Sequence, residues 1–431
     1  MGINYIKVFI YHAVNYGPAK MQETEEQPKA RIISEDSSIF LDFVRFIAVQ
    51  LVVIGHIFWF IDAKFNESNA VIKYPKVLFL ANLGVILFFI LSGMLISNSV
   101  FSKMKSKDYN FKVYFIDRFA RIYSGLIPAL IIIFILNLIH IAINNSHYLR
   151  FFGSLSQLNI SNLVGNLFML QQTYPFDLIN YYIKLLGLSP LNLSIQPFGD
   201  AFQLWTLGIE WWIYLCFGWL ILGLKKYSPF NPKFFLPLLF FSLLPIKFLV
   251  FLGNNLVEIW GLGMLATLVL YSGANITIST ALPKKVIYEE ASLILAFLAL
   301  LRLIHLIKTG TDLYTGDLIL PILIALSFIF VILLLNENKQ PTVNKNISKT
   351  IKTAAGYSYT LYLIHFSVIS FVFAFNLPWP KIILGIIAII LSNLLAMLVA
   401  YYTEMRHKVL GLWIKKKLGL IIEDINLQRA N

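Results

Sequence analysis

Residues 41–56 read LDFVRFIAVQLVVIGH. With its continuation to residue 61, this apolar run is about as long as a helix needs to be to cross a bilayer, roughly 20 residues. It nevertheless carries Asp42, Arg45 and His56. Ionisable groups are costly inside a membrane, and those that occur there face a bundle interior or a water-filled cavity. Arg45 and His56 are eleven positions apart, close to three turns at 3.6 residues per turn, so they share one helix face. Asp42 sits one turn before Arg45 on the same side. Asp42 and Arg45 also fit snorkelling at a membrane edge, whereas His56 lies too deep in the run for that.

The rest of the chain fits a membrane reading. Of 431 residues, 58% are hydrophobic and 13% charged, with a mean hydropathy of +0.73. Ordinary soluble domains carry about 25% charged residues, so the sequence predicts an all-α, polytopic membrane protein. Ten apolar runs are long enough to span, near 41–61, 78–100, 120–143, 204–224, 234–252, 255–272, 289–307, 318–335, 354–376 and 381–403. The formal charge of +13 would suggest nucleic acid only if it formed an aqueous face. Here the basic residues lie in short loops, so the expected partner is the bilayer and not nucleic acid. With a cytosolic N-terminus, the cytosolic segments hold 25 Lys and Arg against seven on the other side. The asymmetry predicts both termini in the cytosol and a multi-pass protein of the cytoplasmic (inner) membrane.

Three parts are expected. Residues 1–40 form an N-terminal segment, in which 1–17 lack the features of a signal peptide and suit an interfacial helix, while 20–38 read as a linker. Residues 41–404 form the membrane domain and 405–431 a basic cytosolic tail. The one long connection, 144–203 on the outer side, holds short amphipathic pieces, NLVGNLFMLQQTYPF and YYIKLLGLSPLNL, suited to re-entrant or interfacial positions. No inverted repeat of the transporter kind is visible. The single cysteine, Cys216, rules out an internal disulfide framework and has no ligand cluster beside it, so no metal is expected.

Polar groups recur inside the spans. Ser92 lies in GVILFFILSGMLI, where a small pair in a large apolar run usually serves helix packing. Arg118 and Arg121, in YFIDRFARIY, fit either cytosolic-edge topology or a phosphate clamp. Glu210, in FQLWTLGIEWWIYL, lies about two turns inside the outer boundary; Trp205 and its neighbours fit an aromatic belt, but a carboxylate there does not. Ser358, Tyr362 and His365, in GYSYTLYLIHFSV, follow i, i+4, i+7 and form one polar face. Span ten ends in YYTEMRH, with Glu404 and Arg406 at the boundary. At 1.5 Å per residue, His56 lies roughly 22 Å above the inner boundary, Glu210 roughly 9 Å below the outer one and His365 about 16 Å up. In a core of about 30 Å the first two are level.

These motifs resemble those of the acyltransferase-3 family of integral membrane acyltransferases, which includes O-acetylases of bacterial surface polysaccharides. The likeness covers about Leu41 to Glu404: a basic residue, ten intervening positions and then a histidine, followed by LFFILSGMLI, DRFARIY, WTLGIEWWIY and YSYTLYLIH, in order. Thr206 stands where the family has serine and keeps the hydroxyl. The resemblance implies transfer of an acyl group, commonly acetyl from cytosolic acetyl-CoA as co-substrate, to a hydroxyl of an envelope glycan or lipid-linked sugar. His56 is then the expected general base, since histidine titrates near neutrality. Glu210 is expected to orient its ring, Arg118 and Arg121 to hold donor phosphates, and Arg45 to extend that positive path or pair with Asp42. Ser92, Trp205, Tyr362 and His365 are expected in supporting roles. A rival reading is a transporter or exporter of small anions or lipid-linked sugars, since intramembrane His, Glu and Arg also form proton relays. Oligomeric state is not legible.

Overall fold

A computed structural model of the chain describes residues 33–62, 78–143, 157–171, 183–184, 186–189, 195–250, 254–272, 283–314, 316–338, 340–375 and 377–420. The helix expected in 1–17 and most of YYIKLLGLSPLNL lie outside them. All described regular structure is helical. In order the helices are α1 (Glu35–Asp62), α2 (Leu78–Lys103), α3 (Phe111–Ala142), α4 (Ile160–Leu167), α5 (Leu204–Leu224), α6 (Pro232–Val250) and α7 (Leu256–Tyr271). There follow α8 (Lys284–Thr309), α9 (Ile319–Asn336), α10 (Lys345–Gly356), α11 (Ser358–Ala374), α12 (Lys381–Tyr402), a 3₁₀ turn (Glu404–Arg406) and α13 (His407–Lys417). Each of the ten apolar runs contains a helix. Among the described residues, seven helices are long and apolar enough to cross a membrane, the broken pair Lys345–Gly356 and Ser358–Ala374 makes an eighth if it is one span, and Pro232–Leu243 and Leu256–Tyr271 are shorter apolar helices.

Two boundaries differ from expectation. α1 begins at Glu35, inside the expected linker, because its first turn is tied down: the Asp36 carboxylate accepts from Thr342 N (2.8 Å) and Thr342 Oγ1 (2.7 Å). α3 begins at Phe111 rather than 120, because Asn110 caps it by accepting from the Lys112 and Val113 amides. This satisfies donors that a helix start otherwise leaves unpaired. The 8-residue α4 is a short helix within the long connection.

The chain divides into two compact units, Met1–Phe46 with Ile86–Tyr109 and Asn254–Thr353, and Ile47–Val85 with Asn110–Gly253 and Ala354–Asn431. In the first, α9 packs against α7 and α8. α2 and α7 meet backbone to backbone: a Cβ on Gly93 would lie 2.1 Å from the Trp260 carbonyl oxygen, and one on Gly263 would lie 2.1 Å from that of Ile90. Ser92 belongs to this crossing, its hydroxyl accepting from Trp260 Nε1 at 3.1 Å. Arg302, an isolated cation in the sequence, binds Asp317 through Nε (3.0 Å) and Nη2 (2.7 Å).

In the second unit, α11 packs against α3 and α12, α3 against α5 and α13, and α5 against α6. α12 shows how lipid-facing and buried sides are sorted. Gly385, Ala388, Ser392, Ala396 and Ala400 are buried, while Ile382, Ile386, Ile390, Leu394 and Leu398 are exposed. Small residues let helices approach closely, and large apolar ones facing outward suit a hydrocarbon solvent.

Candidate active site

The second unit holds most of the expected site. His56 of α1 and His365 of α11 meet, with 3.0 Å between His56 Nδ1 and His365 Nε2 and ring centroids 5.1 Å apart. The hydrogen-bond network fixes the proton positions. His365 Nδ1 faces two carbonyl oxygens of its own helix, Tyr362 at 2.8 Å and Leu361 at 3.2 Å. Carbonyls only accept, so Nδ1 carries a proton, and in the neutral ring Nε2 is the acceptor. His56 Nδ1 must then donate to it. The Val52 carbonyl, one turn back, also bonds the His56 ring. With Nδ1–H committed, His56 keeps its lone pair on Nε2. That nitrogen can take a proton from a hydroxyl. The apolar ring of Phe366 meets His56 edge-on at 5.3 Å.

One turn back along α11, the Tyr362 hydroxyl donates to the Gln203 carbonyl at 3.2 Å and shares a short hydrogen bond with Thr206 Oγ1. Gln203 returns the brace by donating Nε2 to the Leu363 carbonyl. This contact sets the register between α5 and α11 and corrects one expectation. Glu210 lies four residues beyond Thr206, about 6 Å along α5, whereas His365 lies three residues beyond Tyr362, about 4.5 Å the other way. The two helices run antiparallel, so Glu210 is about 10 Å in axial level from the histidines. Its carboxylate accepts from the Tyr214 hydroxyl. His365, not Glu210, is the group that meets His56.

At the start of α11, Glu404 is 0% exposed; its Oε2 accepts from Thr360 N (2.8 Å) and Oγ1 (2.7 Å), and Oε1 forms an ion pair with Arg121 Nη1 at 2.8 Å. Arg121 also lies 5.8 Å from the Tyr359 ring centroid, and the Tyr359 hydroxyl donates to the Ile122 carbonyl. Three successive turns of α11 thus present polar groups from Glu404 and Arg121 up to His56. Arg118 stands 5.9 Å over the Tyr114 ring, and its Nε is buried without a hydrogen-bond partner. Trp205 is half-buried in the first turn of α5. Arg45 falls in the first unit, where it donates to Asp42 at 2.9 Å.

Asp200 was not singled out from sequence. It is 2% exposed, and accepts from Ser367 Oγ and from Asn137 Nδ2 at 3.1 Å. Burial pushes its carboxyl above the usual range, against the pull of those two bonds. Gly199 (φ +63°) makes the left-handed turn that tucks it inward. Nothing in an apolar-run analysis marks a loop aspartate as buried.

No curated protein and no solved structure matches the chain. The acyltransferase domain model of the acyltransferase-3 family matches residues 38–404, which takes in both histidines and every helix from α2 to α12. The chain is a membrane acyltransferase of the acyltransferase-3 family.

Proposed function

We propose that this acyltransferase moves an acetyl group from cytosolic acetyl-CoA to a hydroxyl of an envelope glycan or lipid-linked sugar, in the cytoplasmic membrane. The observation that carries the reading is the His56–His365 bond at 3.0 Å, because it leaves His56 Nε2 unprotonated and facing away from its partner ring. A hydroxyl is a weak nucleophile until a positioned base removes its proton as it attacks. His56 Nε2 takes that proton, the hydroxyl oxygen bonds to the thioester carbonyl carbon, and the carbon–sulfur bond breaks. The proton then passes from His56 to the departing thiolate, giving free coenzyme A and the O-acetyl ester. As Nε2 gains its proton, the ring becomes cationic, and the Nδ1–H bond to His365 strengthens. His365 thereby fills the orienting role that the third group plays in a hydrolase triad. In the orientation given by the basic loops, the donor enters from the Arg121–Glu404 end, and the acceptor from the end where α5 begins.

Full-length protein in nanodiscs, given acetyl-CoA and the deacetylated surface glycan, should release coenzyme A and form ester. His56→Ala should abolish both and leave the thermal transition in place. Undiminished turnover in His56→Ala refutes the base assignment. Movement of an intact solute across the bilayer without ester formation refutes acyl transfer in favour of an exporter.

A further inference from the structure

Cationic groups collect where the start of α13 meets α3. Arg121, Lys408 and Arg118 all lie within electrostatic reach of the His407 ring. The carboxylates nearby are already engaged. Glu404 is taken by Arg121 and Thr360, and Asp117 by Lys415 at 2.5 Å. Arg118 and Lys408 have no acidic partner among the described residues. The Arg118 Nε is buried and without a hydrogen-bond partner, an arrangement that costs free energy unless something arrives to accept from it. His407 donates Nδ1–H to the Glu404 carbonyl at 2.7 Å, which leaves Nε2 as its other polar atom. The 11-residue α13 begins here without a side-chain cap, its first amide already donating to the Glu404 carbonyl through the preceding 3₁₀ turn. Gly411 brings α13 close to α3, where an added Cβ would already lie 3.4 Å from Ala120 Cβ.

We infer that α13 completes the donor's phosphate site: Arg118, Lys408 and His407 bind phosphate groups at the nucleotide end of the acyl donor, while Arg121 is a positioning residue that acts through Glu404. The inference rests on the acyl-coenzyme A reading above. It divides two arginines that share one motif. Arg121 is committed to a buried carboxylate that braces the start of α11, the helix carrying His365. Arg118 is the arginine with donor capacity to spare. His407 joins the site by taking a proton on Nε2 when an anion neutralises the surrounding charge.

The test is steady-state kinetics on full-length protein in nanodiscs of zwitterionic lipid, with acetyl-CoA and with S-acetylpantetheine, which carries the same thioester and no phosphate. Arg118→Gln and Lys408→Gln should each raise KM for acetyl-CoA about tenfold, the scale of one lost charge-assisted bond, with kcat held. On S-acetylpantetheine their KM should equal that of the wild type. Arg121→Gln should lower kcat on both donors, and Arg121→Lys should recover part of it. Lys417→Gln, at the far exposed end of α13, should behave as wild type. An unchanged KM in Lys408→Gln, or equal KM increases on both donors, overturns the site. An Arg121→Gln effect confined to the phosphate-bearing donor overturns the division of roles. If the variants differ from wild type only in their response to added anionic lipid, the phosphate belongs to a lipid headgroup and the donor assignment fails. A wild-type protein that releases no coenzyme A at all refutes the acyl-transfer reading itself, before this inference is engaged.

Discussion

Replacing His365 by leucine removes the acceptor that holds His56 Nδ1–H at 3.0 Å. Leucine keeps most of the apolar bulk in a fully buried position, so the main loss is the hydrogen bond. The Val52 carbonyl still bonds the His56 ring, so the ring is loosened rather than released. A buried polar group that loses a partner costs about 1–3 kcal/mol. If that cost falls on the transition state, where His56 becomes cationic, the rate drops about 10- to 100-fold at 1.36 kcal/mol per decade. His365→Gln is the informative counterpart. Its amide oxygen reaches about as far as Nε2 and accepts from the same N–H, so it should recover most of the loss. The assay is coenzyme A release at saturating acetyl-CoA, read as kcat, with KM for the donor expected to stay put. Wild-type kcat in His365→Leu refutes the orienting role. Glutamine as poor as leucine shows that something other than an accepted hydrogen bond is needed.

Three further outcomes follow from the packing and charges. Arg121→Gln strands Glu404 as a buried charge and should destabilise the protein by roughly 3–5 kcal/mol, seen as an earlier thermal transition in detergent, while Arg121→Gln with Glu404→Gln recovers much of it; a double variant no better than the single refutes the pairing. Gly93→Ala drives a methyl group into the Trp260 carbonyl and should lower yield and melting temperature sharply, whereas Gly261→Ala, with nothing within 4 Å, should be neutral or stabilise by up to about 1 kcal/mol; equal behaviour of the two refutes the close crossing. The raised Asp200 carboxyl favours the folded state fully below the ordinary carboxylate pKa of about 3.9, and that contribution is lost as pH rises through its folded value. Asp200→Asn should flatten that part of the stability–pH profile, and superimposable profiles would contradict the burial.

Hydropathy located the helices because a spanning helix must satisfy its backbone internally and show lipid an apolar surface. α5 runs over 204–224 as expected, since both its ends coincide with the ends of the apolar run. α3 reads too short from hydropathy because Lys112, Asp117 and Arg118 break the run; the signal for its true start is Asn110, a capping residue and not a hydrophobic one. Position along a single helix was legible for His56 and His365. Register between helices was not, and the Thr206–Tyr362 contact is what moves Glu210 away from His56. The α13 cluster escaped notice for a related reason. Lys408 and His407 looked like part of a basic tail, and only folding returns them to α3.

The sorting of α12 has a consequence for how this sequence can change. Its buried edge, from Gly385 to Ala400, acts as a keel: rolling the helix would push isoleucine into a space sized for alanine. Positions such as Ile386 and Leu394 are free to exchange among apolar side chains, because lipid tails conform to any of them. Variation along α12 should therefore fall in a four-residue beat, with tolerant and intolerant positions alternating around the helix.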